Sequence, residues 1–264
     1  MPHGLVNYRK DGAVAVIELN DPPANTYTHE MMRDLDEAIL KARFDDDIWA
    51  IVITGAGEKF FSAGANIKML NSVTPRFKYY FCLHANETLN RLEHTPKIVI
   101  AAVNGHCVGG GLEIAMACDL RIGRKQGGKM GLPEVNLGVL PGTGGTQRIA
   151  RLLGKAKAIE LMATGENFDF DKALEYGLLN QVIEADAESF KQQVIEYARQ
   201  FCPPHKAAKA VGHIKRSVQS GLEVPFECGL AIERELQQQL FQSQDAKEGI
   251  AAYVEKRKAQ FCGE

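Results

Sequence analysis

The chain has 264 residues, and its 31 lysines and arginines nearly balance its 33 aspartates and glutamates, which gives a formal net charge of −2. This balance argues against a nucleic-acid-binding protein, because such proteins carry a positive excess on one face. The length suits one large domain, or a domain with a smaller appendage, and a core of that size needs no disulfide or metal to fold.

We expect a cytoplasmic protein that neither spans nor binds a membrane. Charged residues precede the first apolar run, so no signal peptide is predicted, and glycines interrupt the longest apolar stretch, 98–112. The six cysteines form no CxxC pair, which indicates free thiols in a reducing compartment. The histidines show no ligand spacing, so no metal is predicted.

The hydrophobic period changes repeatedly over the first 180 residues and predicts alternating strands and helices. In chain order the predicted elements are a strand at 13–19, a helix at 29–43, a strand at 50–54, an excursion over 62–96 whose second half is helical, a strand at 98–103, a helix at 111–118 and a strand at 178–183. The strands at 50–54 and 98–103 are apolar throughout. Such strands are buried on both faces, which predicts a mainly parallel sheet covered by helices.

The remainder of the chain shows only helical period. A helix is predicted at 185–200, and Pro203-Pro204 then marks the clearest boundary. We therefore divide the chain into an α/β core, 1–200, and a helical tail, 201–264. The apolar residues between 223 and 241 are too many for exposed helices. They require a partner surface, which is either the chain's own core or another copy of the chain.

Glycines cluster at Gly105–Gly111 and at Gly138–Gly145. The first cluster follows a buried strand and opens a helix, but neither a Walker A motif nor a GxGxxG with an acidic partner fits, so a nucleotide site is not predicted. The unpaired N–H of Gly110 at the helix start can instead donate to a substrate oxygen. A second donor is expected from the loop 59–68, where Asn66 can cap the following helix. The alternative interpretation is that both segments are simply tight turns.

Two glutamates lie in apolar surroundings near these clusters. Glu113 follows Gly110 by three residues, so helical geometry brings its side chain back towards the same turn. Glu134 follows Pro133 and precedes the second cluster. Carboxylates in apolar settings are suited to general acid–base catalysis, although the sequence does not place the two side by side.

These segments together resemble one known family. The matching segments are 61–68 (FSAGANIK), 102–113 (AVNGHCVGGGLE), 132–134 (LPE), 138–148 (GVLPGTGGTQR) and the C-terminal stretch from Lys247 to Lys258. They are similar, in order and spacing, to the crotonase superfamily and specifically to enoyl-CoA hydratases. The resemblance implies a spiral of ββα units and a C-terminal helical region that builds a trimer or a hexamer of two trimers. It also implies a role in fatty-acid β-oxidation.

The resemblance also implies functional residues. Glu113 and Glu134 would be catalytic, and the N–H groups of Ala65 and Gly110 would form an oxyanion hole for the thioester carbonyl. No separate cofactor is expected, because coenzyme A (CoA) is part of the substrate. The remaining residues expected to contact the acyl-CoA are Pro23, Ala24, Lys59, Ala63, Asn66, Ile67, Lys68 and Lys256, the last from a neighbouring part of the trimer.

The expected activity is reversible addition of water to a 2-enoyl-CoA, giving a 3-hydroxyacyl-CoA. Two glutamates favour a hydratase over an isomerase, which in this superfamily typically keeps only the one at the Glu134 position. Another acyl-CoA reaction, such as isomerisation, dehydration, decarboxylation or hydrolysis, is the alternative. A non-catalytic acyl-CoA-binding or assembly module is a second alternative, against which the two intact glutamates argue.

Overall fold

The structure is a computed structural model that describes all 264 residues. Two β-sheets organise the molecule. The strands are β1 Val6–Asp11, β2 Val14–Leu19, β3 Ala50–Gly55, β4 Phe60–Ser62, β5 Ile98–Val103, β6 His106–Val108, β7 Leu120–Arg124, β8 Lys129–Gly131, β9 Phe168–Asp169 and β10 Gln181–Ile183. The helices are α1 His29–Phe44, α2 Ile67–Ser72, α3 Pro75–Glu93, α4 Gly110–Met116, α5 Gly145–Leu153, α6 Lys155–Thr164, α7 Phe170–Glu175, α8 Ala187–Arg199, α9 Ala208–Gly221, α10 Phe226–Phe241 and α11 Gln244–Glu255, with a 3-10 helix at Glu134–Leu137.

From β3 to β8, successive strands alternate between the two sheets. The larger sheet has the order β1-β2-β3-β5-β7-β10 and the smaller one β4-β6-β8-β9. Each of β3, β5 and β7 is therefore followed by a strand of the smaller sheet before a helix or loop returns the chain. Pairing is parallel except at β1 with β2 and at β8 with β9. This arrangement confirms the predicted α/β spiral of ββα turns.

The large sheet is buried on both faces, as its apolar strands predict. On one face Val16, Val52 and Ile100 pack against Phe190 and Val194 of α8. The opposite face contributes to the main core, which α1, α3 and α4 help to fill. Because β3 is buried along its whole length and β5 at every residue after Ile98, the ends of both strands are held firmly, and the loops that leave them are positioned by the sheet.

The predicted strands and helices are present in the structure, but several further elements were missed. The strand over 98–103 coincides with β5, and the helix over 29–43 is one residue shorter than α1. The prediction missed β1 and β7 of the large sheet, the helices α5, α6 and α7, and the whole smaller sheet, whose strands are only two or three residues long. Segments this short show no hydrophobic period, so only their pairing across the fold reveals them.

Helices are the only regular elements of the C-terminal tail, as predicted. Helix α9 docks on the core through the buried ion pair of Lys215 with Asp119, whose atoms Nζ and Oδ2 lie 2.8 Å apart. The chain terminus returns to the core, where Gly263 lies against Trp49. The domain boundary near residue 200 stays a prediction. No helix of the molecule is both long enough and apolar enough to cross a bilayer.

Candidate active site

The turns after β4 and β6 meet at the carboxyl ends of neighbouring parallel strands. The first runs from Ala63 to Asn66, and the second contains Gly109 and the first residue of α4, Gly110. Their contact is close, because a Cβ atom placed on Gly64 would lie 2.8 Å from the Gly110 nitrogen. Gly64 also has a φ of +85°, a backbone conformation that favours glycine. The first glycine cluster and the loop 59–68, from which the second donor was expected, are therefore brought together.

Two backbone N–H groups in these turns are left free. The N–H of Ala65 and that of Gly110 donate to no acceptor within the chain. For Gly110 the reason is its position at the start of α4, where an α-helix has no intrahelical partner for its first N–H groups. Asn66 caps α2, as predicted, because its Oδ1 accepts from the Met69 N–H at 3.1 Å.

Glu113 lies on the first turn of α4 with only 1% of its surface exposed. Its Oε1 accepts from the backbone N–H groups of Thr143 at 2.8 Å and Gly145 at 2.7 Å, and its Oε2 accepts from the Thr143 hydroxyl. Gly145 begins α5, so the carboxylate also sits at the positive end of a helix. A carboxylate has about four acceptor positions, and these three donors leave one for a further partner.

Glu134 begins the 3-10 helix and faces the turn that holds Gly109. A Cβ atom on Gly109 would lie 3.1 Å from the Glu134 Oε1, so the absence of a side chain there makes room for the carboxyl group. The Oε2 is buried and has no hydrogen-bond partner. Burial, with a smaller contribution from the negative charge of Glu113, raises the pKa of the Glu134 carboxyl to about 7. The group can therefore bind and release a proton near neutral pH.

The two carboxyl groups thus share one site but differ in environment. Glu113 is surrounded by donors, which suit an ionised carboxylate, and Glu134 has an oxygen with no partner at all. Such a pair is suited to exchanging protons with a bound molecule, one group accepting while the other donates.

Most of the residues predicted to contact an acyl-CoA surround the first turn. The Ala63 N–H donates to the Ala24 carbonyl at 2.9 Å, which brings the segment after Pro23 alongside this turn. Ile67 and Lys68, on the first turn of α2, are exposed, and so is Lys59, just before β4. Lys256 is exposed at the C-terminal end of α11 and its side chain forms no hydrogen bond or ion pair with these residues within the chain. The acyl-CoA contacts of all these residues remain predictions.

Sequence reasoning did not single out Tyr27 or Thr143, and it did not connect Gly145 with Glu113. One available signal was the second glycine cluster, which begins a helix and therefore offers free N–H groups to a buried carboxylate. Tyr27 and Thr143 belong to no sequence motif that would have indicated their role.

Comparison with known proteins assigns the family. The family model described as enoyl-CoA hydratase/isomerase matches residues 9–264. The chain belongs to this enoyl-CoA hydratase/isomerase family. A short-chain-enoyl-CoA hydratase of Clostridium acetobutylicum is 38% identical over 250 residues, which are 94% of each chain. A crotonyl-CoA hydratase of Syntrophomonas wolfei is 35% identical over 99% of each chain.

The solved structures of the family agree. The crystal structure of an enoyl-CoA hydratase from Geobacillus kaustophilus superposes with a TM-score of 0.95 and 44% identity, covering 98% of this chain and 97% of that one. The predicted family and its α/β spiral are confirmed. The similarity extends over nearly the whole chain, the C-terminal tail included.

Proposed function

We propose that this protein is an enoyl-CoA hydratase, which adds water reversibly across the 2,3 double bond of a 2-enoyl-CoA. The observation that carries the proposal is the pairing of Glu113 and Glu134 beside two free backbone N–H groups. The relatives named above, a short-chain-enoyl-CoA hydratase and a crotonyl-CoA hydratase, support the same reaction and favour a short acyl chain.

The N–H groups of Ala65 and Gly110 bind the thioester carbonyl oxygen. As hydroxide adds to the β-carbon, negative charge moves onto this oxygen, and donors already in place stabilise it without reorganisation. The position of Gly110 at a helix N-terminus adds the favourable field of the helix. Both donors act more strongly on the transition state than on the neutral substrate, so they raise the rate as well as the affinity.

The glutamates move the protons. Glu113 uses its remaining acceptor position to hold water and takes one proton while the oxygen of that water bonds to the β-carbon. Glu134 donates a proton to the α-carbon, for which its raised pKa is suited. The product gains one hydroxyl group and one hydrogen. Transfer of the accepted proton from Glu113 back to Glu134, directly or through water, restores the enzyme.

The enzyme acts as a homo-oligomer, a trimer or a pair of trimers, in the cytoplasm. Large apolar side chains exposed on the tail support an assembly in which another copy covers them. They include Ile214, Val218, Leu222, Phe226, Phe241, Tyr253 and Val254. Such an assembly is also what would bring Lys256 to the CoA bound by a neighbouring subunit. All six cysteines are free, which supports a reducing compartment.

The test is turnover of a panel of CoA thioesters, with the products identified by mass spectrometry. We expect crotonyl-CoA to gain the mass of one water molecule, and 3-hydroxybutyryl-CoA to lose it. An isomerase would give a product of unchanged mass, and a hydrolase would release free CoA. Binding of every thioester without any product would contradict the proposal and favour the non-catalytic alternative.

A further inference from the structure

Tyr27 lies between the two turns and Glu113, in the short segment that connects β2 to α1. It is 2% exposed and is among the largest fully enclosed side chains of the protein. Its contacts lead to all three groups of the proposed mechanism. These are the N–H groups of Ala65 and Gly110, which bind the carbonyl oxygen, and the Glu113 carboxylate, which holds the water molecule. We infer that Tyr27 is a positioning residue, which orients both oxyanion donors and Glu113 from one place. This inference rests on the proposed function.

The backbone of Tyr27 orients the first donor. Its N–H donates to the Gly64 carbonyl at 2.9 Å, and its carbonyl accepts from the Asn66 N–H at 3.0 Å. These bonds form a parallel bridge opposite Ala65. In such a bridge the two neighbours, here Gly64 and Asn66, bond to the opposite strand, and the residue between them points its own N–H away from that strand. The Ala65 N–H is therefore turned away from Tyr27 and stays free.

The ring of Tyr27 packs on the second donor. A Cβ atom on Gly110 would lie 2.1 Å from the Tyr27 Cε1 and 2.3 Å from its hydroxyl oxygen, so the ring occupies the space that a side chain would need. Phe81 supports the ring from α3, with the ring centroids 5.6 Å apart. The ring thus holds the backbone at the start of α4 in place.

The hydroxyl of Tyr27 reaches Glu113 through Thr143. The oxygens of the Tyr27 and Thr143 hydroxyls are 3.2 Å apart, and the Thr143 hydroxyl contacts the Glu113 Oε2. An ionised carboxylate only accepts, so Thr143 must give its single proton to Glu113. Tyr27 must then be the donor to Thr143. The two hydroxyls form a relay that holds the carboxylate and strengthens the donation to it.

The relay acts on Glu113, and neither of its hydroxyl groups contacts the substrate in the proposed mechanism. Burial and the charge of Glu113 also raise the pKa of the Tyr27 phenol well above its usual value, so the phenol remains a donor at every pH of interest. Loss of the phenol hydroxyl should therefore reduce turnover and leave the affinity for the acyl-CoA unchanged.

The experiment compares Tyr27→Phe with Tyr8→Phe in hydration of crotonyl-CoA. Tyr8 is a matched control, because its hydroxyl is also buried but lies on β1 and has no partner. We expect Tyr27→Phe to lower kcat by about twofold to tenfold, the size of one neutral hydrogen bond, with KM unchanged and the unfolding temperature lowered by at most a few degrees. Tyr8→Phe should keep the wild-type kcat. A wild-type kcat in Tyr27→Phe would overturn the inference.

A double-mutant cycle tests whether Tyr27 acts through Thr143. Thr143→Val should lower kcat, Thr143→Ser should retain most of it, and Tyr27→Phe should cause no further loss in the Thr143→Val background. Losses that simply multiply would refute the relay, and so would a Thr143→Ser variant as slow as Thr143→Val. If the wild-type protein and Tyr8→Phe both fail to hydrate any enoyl-CoA, the proposed function fails and this inference fails with it. Failure of the relay alone leaves the wild-type protein active.

Discussion

Replacement of Glu113 by glutamine separates its chemical role from its structural one. The carboxylate accepts from the Thr143 N–H, the Gly145 N–H and the Thr143 hydroxyl. A glutamine oxygen at the Oε1 position keeps both backbone bonds. Its amide nitrogen at the Oε2 position requires the Thr143 hydroxyl to accept in place of donating, which the hydroxyls of Thr143 and Tyr27 can do by turning so that Thr143 donates to Tyr27. The packing and most of the hydrogen bonding therefore survive, whereas the group that takes a proton from water is lost.

The expected magnitudes follow from this arrangement. Loss of one general base costs about 10²–10⁴ in kcat, which corresponds to about 3–5 kcal/mol of transition-state stabilisation. Unfolding free energy should change by less than about 1 kcal/mol in Glu113→Gln. In Glu113→Ala, two buried N–H groups lose their acceptor, which should cost about 2–6 kcal/mol of stability.

The assay follows the loss of ultraviolet absorbance of the conjugated thioester during hydration of crotonyl-CoA, and urea unfolding measures stability. We expect a slow but stable Glu113→Gln variant and an unstable Glu113→Ala variant. If Glu113→Gln hydrates crotonyl-CoA at the wild-type rate, Glu113 is not the base. If Glu113→Ala is as stable as the wild type, the carboxylate does not hold the start of α5.

Three further changes test other parts of the structure. Because the proposed acid, Glu134, has a pKa of about 7, it loses its proton above that pH, so kcat/KM should fall by about tenfold per pH unit on the alkaline side. The fall should be the same for hydration and for dehydration, because the overall reaction neither takes up nor releases a proton. A kcat/KM that rises through pH 8 would contradict the assignment of Glu134 as the acid. Gly64→Ala should lower kcat by about 10²–10³, because the methyl group would press on the Gly110 N–H. Steady-state kinetics measure this, with Gly177→Ala as the control, because Gly177 also has a positive φ but has no atom near the added methyl group. Lys215→Met should lower the unfolding free energy by about 3–5 kcal/mol in urea, because it leaves the buried Asp119 carboxylate without its partner, and an unchanged midpoint would show that this ion pair does not hold the tail.

The longer elements were predictable because their signal is local. Strand β5 and helix α1 each show their own hydrophobic period, and the Asn66 cap needs only a polar residue three positions before a backbone N–H. The smaller sheet was missed because its strands are too short for any period. Its existence depends on pairing between segments far apart in the chain, such as β4 with β6.

The sequence by itself determined the fold class, the two glycine-rich turns and the identity of both glutamates, since each rests on residue type and short spacing. Only the tertiary structure decided how they act together. The bond from Thr143 to Glu113 joins residues 30 positions apart, and the contact of Tyr27 with Thr143 joins residues 116 positions apart. The difference between the two carboxyl groups likewise comes from burial, because desolvation depends on what the fold places around a side chain.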